Sequence, residues 1–285
     1  LVAEPQPWLA AGDDAVCEDA GELGRRLQRW TAATGVLPDR TAARSAAAVF
    51  DAIQAAKSTR RPTPIAAGAL PAGVELSTAI QPTWVITNSV VDRAFEQAEE
   101  LVLLKQKYPT LASAGMITVG SGEPSRFDGP KAAAAARVEK RPFGVWWATL
   151  PAADTLNLPA SLPLPHPAMR PDRPVQAWLS SEDITGLGAA VRDGGAGLDV
   201  ADLQITAAIV WPTQGRLLET WATRFREALI DPDRFTPALA AAAHDYLAAL
   251  AEPTTWTGRL EHHYQPVWAA AIAAHVRFRG RRAAM

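Results

Sequence analysis

Seven prolines fall between Pro151 and Pro174, in the run PAADTLNLPASLPLPHPAMRPDRP. Each fixes φ and deletes a backbone donor, so no helix or sheet ladder continues through this stretch. Regular structure is therefore expected on either side: residues 1–150 as a helical hairpin with a β/α region, and 175–285 as strands with a helical subdomain. A proline-rich crossover at 151–174 joins them, and the whole is compatible with one continuous domain.

In the first part, Leu23, Leu27 and Trp30 fall at helical spacing, and Gly35 and Pro38 end that helix. Thr41 is placed to cap a second helix over Ala42–Lys57, with Val49, Phe50 and Ile53 inward and Arg44, Asp51 and Gln54 facing water. After a Pro/Gly-broken stretch, TWVIT (Thr83–Thr87) reads as a strand. Ser89, with Asp92 three residues on, reads as the cap of a helix over Val90–Tyr108 that Pro109 stops. Met116–Val119 predicts a strand, Pro130–Glu139 a helix with proline at its start, and Gly144–Leu150 a buried strand. This alternation points to an α+β or α/β fold with a parallel or mixed sheet of about four to six strands under covering helices.

Beyond the prolines, Val175–Leu179 and Leu203–Trp211 are strand candidates separated by the turn VRDGGAGLD. Thr213 is expected to cap a helix reaching Ile230, with Leu217, Leu218, Trp221, Phe225 and Leu229 in its apolar stripe. A second helix, Pro237–Ala251, takes Thr236 as its cap, and Trp256 onward is helical with an interruption at Pro266.

Charge and cysteine usage exclude whole classes of function. With 28 basic and 30 acidic side chains the net charge is -2, so no global field draws in nucleic acid or an acidic membrane. No apolar run reaches the roughly 18 residues that a spanning helix needs. Cys17 is the single cysteine, which excludes an internal disulfide, a cysteine zinc site and an iron–sulfur cluster, and suits a reducing cytoplasm. Leu1 in place of methionine fits either a removed leader or a trimmed start. Abundant Ala, Arg, Pro and Gly match the usage of GC-rich bacterial genomes.

The stretch ITVGSGEPSRFDGPK (Ile117–Lys131) has the outline of a strand, a glycine loop and a helix N-terminus, an arrangement that can hold phosphate on free N–H groups. Its letters depart from both phosphate motifs. Ser125 stands where G-x-G-x-x-G wants its third glycine, Pro124 removes a donor, and Gly129 is followed by Pro130 and Lys131 in place of Lys-Ser/Thr. The histidines show no H-E-x-x-H spacing. His262 and His263, adjacent on a regular helix, would point roughly 100° apart, so no shared metal ion is expected. No G-x-S-x-G elbow nominates a serine nucleophile, and the sequence names no cofactor.

Tryptophan and the C-terminus depart from background. Ten tryptophans occur in 285 residues, with Trp146 and Trp147 adjacent on a strand, so that one indole faces each side of the sheet. The run HVRFRGRRAAM interleaves Phe278 with Arg277, Arg279, Arg281 and Arg282, a group able to grip an acidic partner surface. The reading that follows is a soluble, non-catalytic interaction or assembly subunit, with a protein partner or self-association through these residues. The alternative is an enzyme acting on a nucleotide-like or phosphorylated small molecule, held near Asn88, Ser89, Gly120, Ser121, Gly122, Arg126 and Lys131 at strand-end loops.

Overall fold

The computed structural model describes residues 20–57, 70, 74–80, 96–97, 107–234 and 237–285. The expected Thr83–Thr87 strand, the Ser89 cap and the Thr236 cap lie outside the described residues. So does the Val90–Tyr108 helix, apart from residues 96–97, which are helical, and 107–108. The fold is mixed, with an N-terminal helical pair, a four-stranded and a two-stranded sheet, and C-terminal helices. The chain forms two compact units, each built from separated segments: residues 1–66, 110–122 and 215–269 in one, and 67–109, 123–214 and 270–285 in the other.

The first unit is helical. Ala20–Thr34 and Ala42–Lys57 form the hairpin, turned by Gly35 at φ 79, a left-handed conformation that glycine adopts without penalty. Thr41 Oγ1 accepts from Arg44 N–H at 3.3 Å, the expected cap. Alanines at 42, 43, 46 and 47 are all buried, so other elements can approach this helix closely. The helices Glu219–Ile230 and Pro237–Ala249 supply Trp221, Phe225 and Tyr246 to a connected aromatic core with Trp30, Phe50, Trp256 and Trp268. Buried indoles need acceptors. Trp221, Trp256 and Trp268 donate to the carbonyls of Ala46, Ala249 and Gly120 at 2.9, 2.7 and 2.8 Å.

The second unit is built on the sheet, whose strands run in the order Ser125–Asp128, Ala207–Trp211, Phe143–Leu150, Val175–Ser180. Each of its three pairings is antiparallel. One face packs Trp146, Ala148, Leu150, Leu179, Ala208 and Val210 against Ala132 and Ala136 of the helix Gly129–Arg137, and against Ile184 and Leu187 of the helix Ser181–Gly188. The proline-rich stretch contributes to the same core. Ala153 and Met169 are buried in it, and Leu156, Leu158 and Leu164 pack on its margin. Its two ends meet: Ala153 N–H donates to the Arg170 carbonyl at 2.8 Å, and Asp154 N–H to that of Pro171 at 3.0 Å.

The expected turn VRDGGAGLD is a close approach of backbones. Gly194 has φ +87, and a Cβ added there would lie 2.5 Å from Arg282 N; one on Gly195 would lie 2.0 Å from the Ala189 carbonyl oxygen. Only hydrogen fits at these positions.

Several boundaries differ from expectation, and prolines account for most. Pro109 and Pro266 each open a helix, Pro109–Ala114 and Pro266–Ala283, because at the first turn the missing N–H costs nothing. Thr213 is not a cap: Thr213–Gly215 is a strand, and the helix starts at Glu219. Residues 200–203 form a 3₁₀ turn, so the last strand of the sheet begins at Ala207. On the second helix, Gln54 is buried and donates from Nε2 to the Leu217 carbonyl at 3.0 Å, so it does not face water.

Candidate functional site

Three groups of chemistry-bearing residues lie in the described structure. The first is a row across the sheet. The pairings Asp128↔Ala207, Ala207↔Trp147 and Trp147↔Trp178 place these four residues side by side on one face, crossing all four strands. Trp146 points the other way and is fully buried, its Nε1 donating to Ser181 Oγ at 3.3 Å. Trp147 and Trp178 are half-buried and packed together, ring centroids 5.5 Å apart. Of the eight described tryptophans, these two are the ones not fully enclosed. The other three positions of the row are uncharged, and Asp128, exposed on one edge strand, brings a carboxylate.

The second group surrounds the C-terminal arginines. Ser180 caps the helix Ser181–Gly188 with a reciprocal box. Its Oγ accepts from Asp183 N–H at 3.2 Å, and its own N–H donates to Asp183 Oδ2 at 2.9 Å. This box fixes Asp183 inside the unit, where Arg277 Nη2 donates to Oδ1 at 2.6 Å and Arg277 also donates to the Ala79 carbonyl. His166, from the proline-rich stretch, places Nε2 3.8 Å from the same Oδ1. Its Nδ1 accepts from Ala168 N–H at 3.1 Å, so the neutral ring carries its proton on Nε2. Burial pushes the Asp183 carboxyl up, but Arg277, His166 and the Ser180 bonds outweigh it and hold the group below its ordinary range. Burial depresses His166, with Arg277 adding to the effect and Asp183 opposing it. Arg281 is likewise buried and donates from Nε to the Gly194 carbonyl at 2.8 Å. Phe278 lies against Gly186, where an added Cβ would come within 3.2 Å of Phe278 Cβ. Arg279 is half-buried and Arg282 exposed. The basic run is thus the end of a helix, with Arg277 and Arg281 turned inward.

The residues of the nucleotide-like reading are distributed differently. Asn88 and Ser89 lie outside the described residues. Gly120 and Ser121 are in the strand Val119–Ser121, and Gly122 turns at φ +78. The strand Ser125–Asp128 then intervenes before the helix, so there is no loop leading directly from the glycines to a helix N-terminus. Gly129 N–H, the first of that helix, donates to the Thr206 carbonyl at 2.8 Å. Lys131 and Arg126 are exposed in the second unit, whereas Gly120, Ser121 and Gly122 belong to the first.

The third group is one that helical spacing argued against. Asp51, expected to face water, points at two histidines of the 3₁₀ helix Gly258–His263. His262 Nε2 lies 2.9 Å from Asp51 Oδ1, and His263 Nε2 lies 3.5 Å from Oδ2. The two imidazole centroids are 4.0 Å apart. The expectation that adjacent histidines diverge assumed a regular α-helix. Here the two residues close a 3₁₀ turn that ends at His263, and both rings reach one carboxylate. The outer nitrogens are also engaged: His262 Nδ1 with the Arg259 carbonyl at 2.9 Å, and His263 Nδ1 with Tyr246 Oη at 3.2 Å. Phe50 and Trp256 wall the His263 ring at 5.9 and 5.1 Å. Burial pushes the Asp51 carboxyl up, yet hydrogen bonds from His262 and His263 and their charge bring it well below the usual range. Tyr246, buried beside Asp51, is pushed well above its ordinary value.

Among the described residues no helix is long and apolar enough to cross a membrane. No protein-family model, curated protein or solved structure matches this chain.

Proposed function

We propose that this chain is a protein-interaction or assembly subunit, and that its partner presents a basic side chain to the row Asp128–Ala207–Trp147–Trp178. The observation that supports the reading is the contrast within the aromatic set: six described indoles are enclosed, while Trp147 and Trp178, packed together at a tilt, are half-buried. Partly exposed aromatic area is characteristic of an interface centre.

The charge of the partner follows from the row. Neighbouring strands lie about 4.8 Å apart, so a cation seated over the small Ala207 is one strand from the Trp147 ring and one from the Asp128 carboxylate. A guanidinium or ammonium gains there from the indole face and from the carboxylate together. The rival reading, an enzyme acting on a phosphorylated or nucleotide-like molecule, draws less support: exposed Lys131 opens a helix whose first N–H is already bonded.

The test is tryptophan fluorescence on titration of the full chain with short basic peptides, using acidic peptides of matched length as controls. Basic peptides are expected to bind preferentially. Trp147→Ala and Asp128→Asn should each weaken them by about tenfold, the size of one partly desolvated cation–π or ionic contact. Equal binding of both peptide sets, or full binding by the Trp147→Ala chain, overturns the reading.

A further inference from the structure

We infer that Asp51, His262 and His263 form a site for one first-row divalent metal ion of the zinc class. The inference rests on residues that play no part in the docking reading, and it stands or falls separately.

The donor set comes first. Two imidazoles and one carboxylate are the mixed nitrogen and oxygen ligands that zinc and its neighbours take, and that calcium and magnesium avoid. All three donor atoms lie within 4.8 Å of one another. Ligand atoms 2.0 to 2.2 Å from a tetrahedral ion are about 3.3 to 3.6 Å apart. One nitrogen-to-oxygen separation, 3.5 Å, falls within that edge and the other, 2.9 Å, is shorter, so loading asks for a small opening of that contact and a closing of the remaining edge.

The outer contacts argue for a metal in particular. A ligating histidine nearly always donates its other ring N–H to a carbonyl, a carboxylate or a similar acceptor, which fixes the tautomer and aims the lone pair. His262 Nδ1 lies 2.9 Å from the Arg259 carbonyl oxygen, an acceptor, and so carries a proton to donate there. In the neutral ring this leaves the Nε2 lone pair directed at Asp51 Oδ1, an acceptor facing an acceptor at 2.9 Å. Either a second proton or a cation resolves that opposition. His263 differs: its Nδ1 meets Tyr246 Oη, a hydroxyl that both donates and accepts, so that contact does not fix the tautomer, and its Nε2 turns toward Asp51 Oδ2.

Burial grades across the site. The His263 side chain is 1% exposed, while those of His262 and Asp51 are 24% and 22% exposed. The apolar wall of Phe50, Trp256 and Tyr246 closes one side, and the other faces solvent. Three protein ligands with a wet side leave a coordination position for water, the form of a site that binds reversibly or activates water, as opposed to a closed four-ligand structural centre. The ligands come from a helix and a distant 3₁₀ turn, so an ion there ties residues more than 200 positions apart.

The experiment uses the full chain, freed of metal by chelation, titrated with Zn²⁺ by calorimetry and with Co²⁺ followed by visible absorption. One equivalent is expected to bind, with a rise in Tm at saturation. Asp51→Asn and His262→Gln, both at partly exposed positions, should each lose at least about 100-fold in affinity, and Tyr246→Phe, an outer contact, about tenfold. Should a ligand variant fail to fold, X-ray absorption on the Zn²⁺-loaded wild type decides, with two imidazole nitrogens and at least one carboxylate oxygen expected at about 2.0 to 2.2 Å. Absence of stoichiometric binding by the wild type, or a spectrum without imidazole, overturns the inference and leaves a histidinium–aspartate ion pair.

Discussion

Arg277 Nη2 donates to Asp183 Oδ1 at 2.6 Å with both side chains enclosed, so the last helix of the chain is held by a charge contact in an apolar interior. Such a pair contributes little net stability while intact, but breaking it exposes a large cost, because one charge is left buried without its partner. Arg277→Met is therefore expected to lower the unfolding free energy by about 3 to 5 kcal/mol, and Asp183→Asn made in the same chain to restore much of the loss. Urea denaturation of the two single variants and the double variant checks this. Strictly additive effects would show that the pair is not the contact that matters.

Glu182, next in sequence, supplies a pH signature. Burial and the charge of Asp183 push its carboxyl up to about 7, against the pull of Arg141. A folded value above the ordinary 4.5 means stability fully present below pH 4.5 and lost as pH rises through 7. His166 acts oppositely. Its depressed folded value withdraws stability as pH falls below 6.5, so the wild-type profile mixes the two. Glu182→Gln separates them. It should stabilise the protein by about 1 to 2 kcal/mol at pH 8, discounted for partial exposure, and by nearly nothing at pH 4.5, as read by denaturant melts at the two pH values.

Gly144 lies where two strands touch. A Cβ built there falls 2.6 Å from the Ile209 carbonyl oxygen and 2.9 Å from Val210 Cγ1. The neighbour is backbone and cannot swing aside, so Gly144→Ala is expected to cost about 2 to 3 kcal/mol, measured as a lower midpoint in thermal or urea unfolding.

Adjacent tryptophans should respond in opposite ways. Trp146→Ala empties a fully enclosed position and is expected to cost about 3 to 5 kcal/mol. Trp147→Ala removes a half-exposed ring and should cost about 1 kcal/mol, chiefly through its contact with Trp178, while weakening basic-peptide binding. Paired melts and fluorescence titrations on the two variants test this division of labour.

The helical hairpin, the strand at Trp146 and Trp147 and the Thr41 cap were legible because each is written locally, in apolar spacing, alternation or a short-range side-chain bond. Pro266 misled because proline both ends and begins helices, and only the chain on either side decides which. Gln54 and Asp51 read as wet because one helix alone cannot say what packs on its flank; their partners, Leu217 and the two histidines, lie more than 150 residues away. The His262–His263 pair was set aside on the spacing of a regular helix, and the carboxylate on which the two rings converge lies more than 200 residues away. Arg277 and Arg281 read as a group for gripping a partner for a similar reason: the acceptors that draw them inward, Asp183 and the Gly194 carbonyl, stand far off in sequence.

The backbone bonds from Ala153 and Asp154 to Arg170 and Pro171 bring the two feet of the proline-rich stretch together, with His166 and Met169 sealed beneath. Such a closed ring acts as a stopper and cannot serve as a spacer. Nicking it at exposed Ala160 or Ser161 should leave both halves seated, whereas excising it and splicing the feet would uncork the interior they fill.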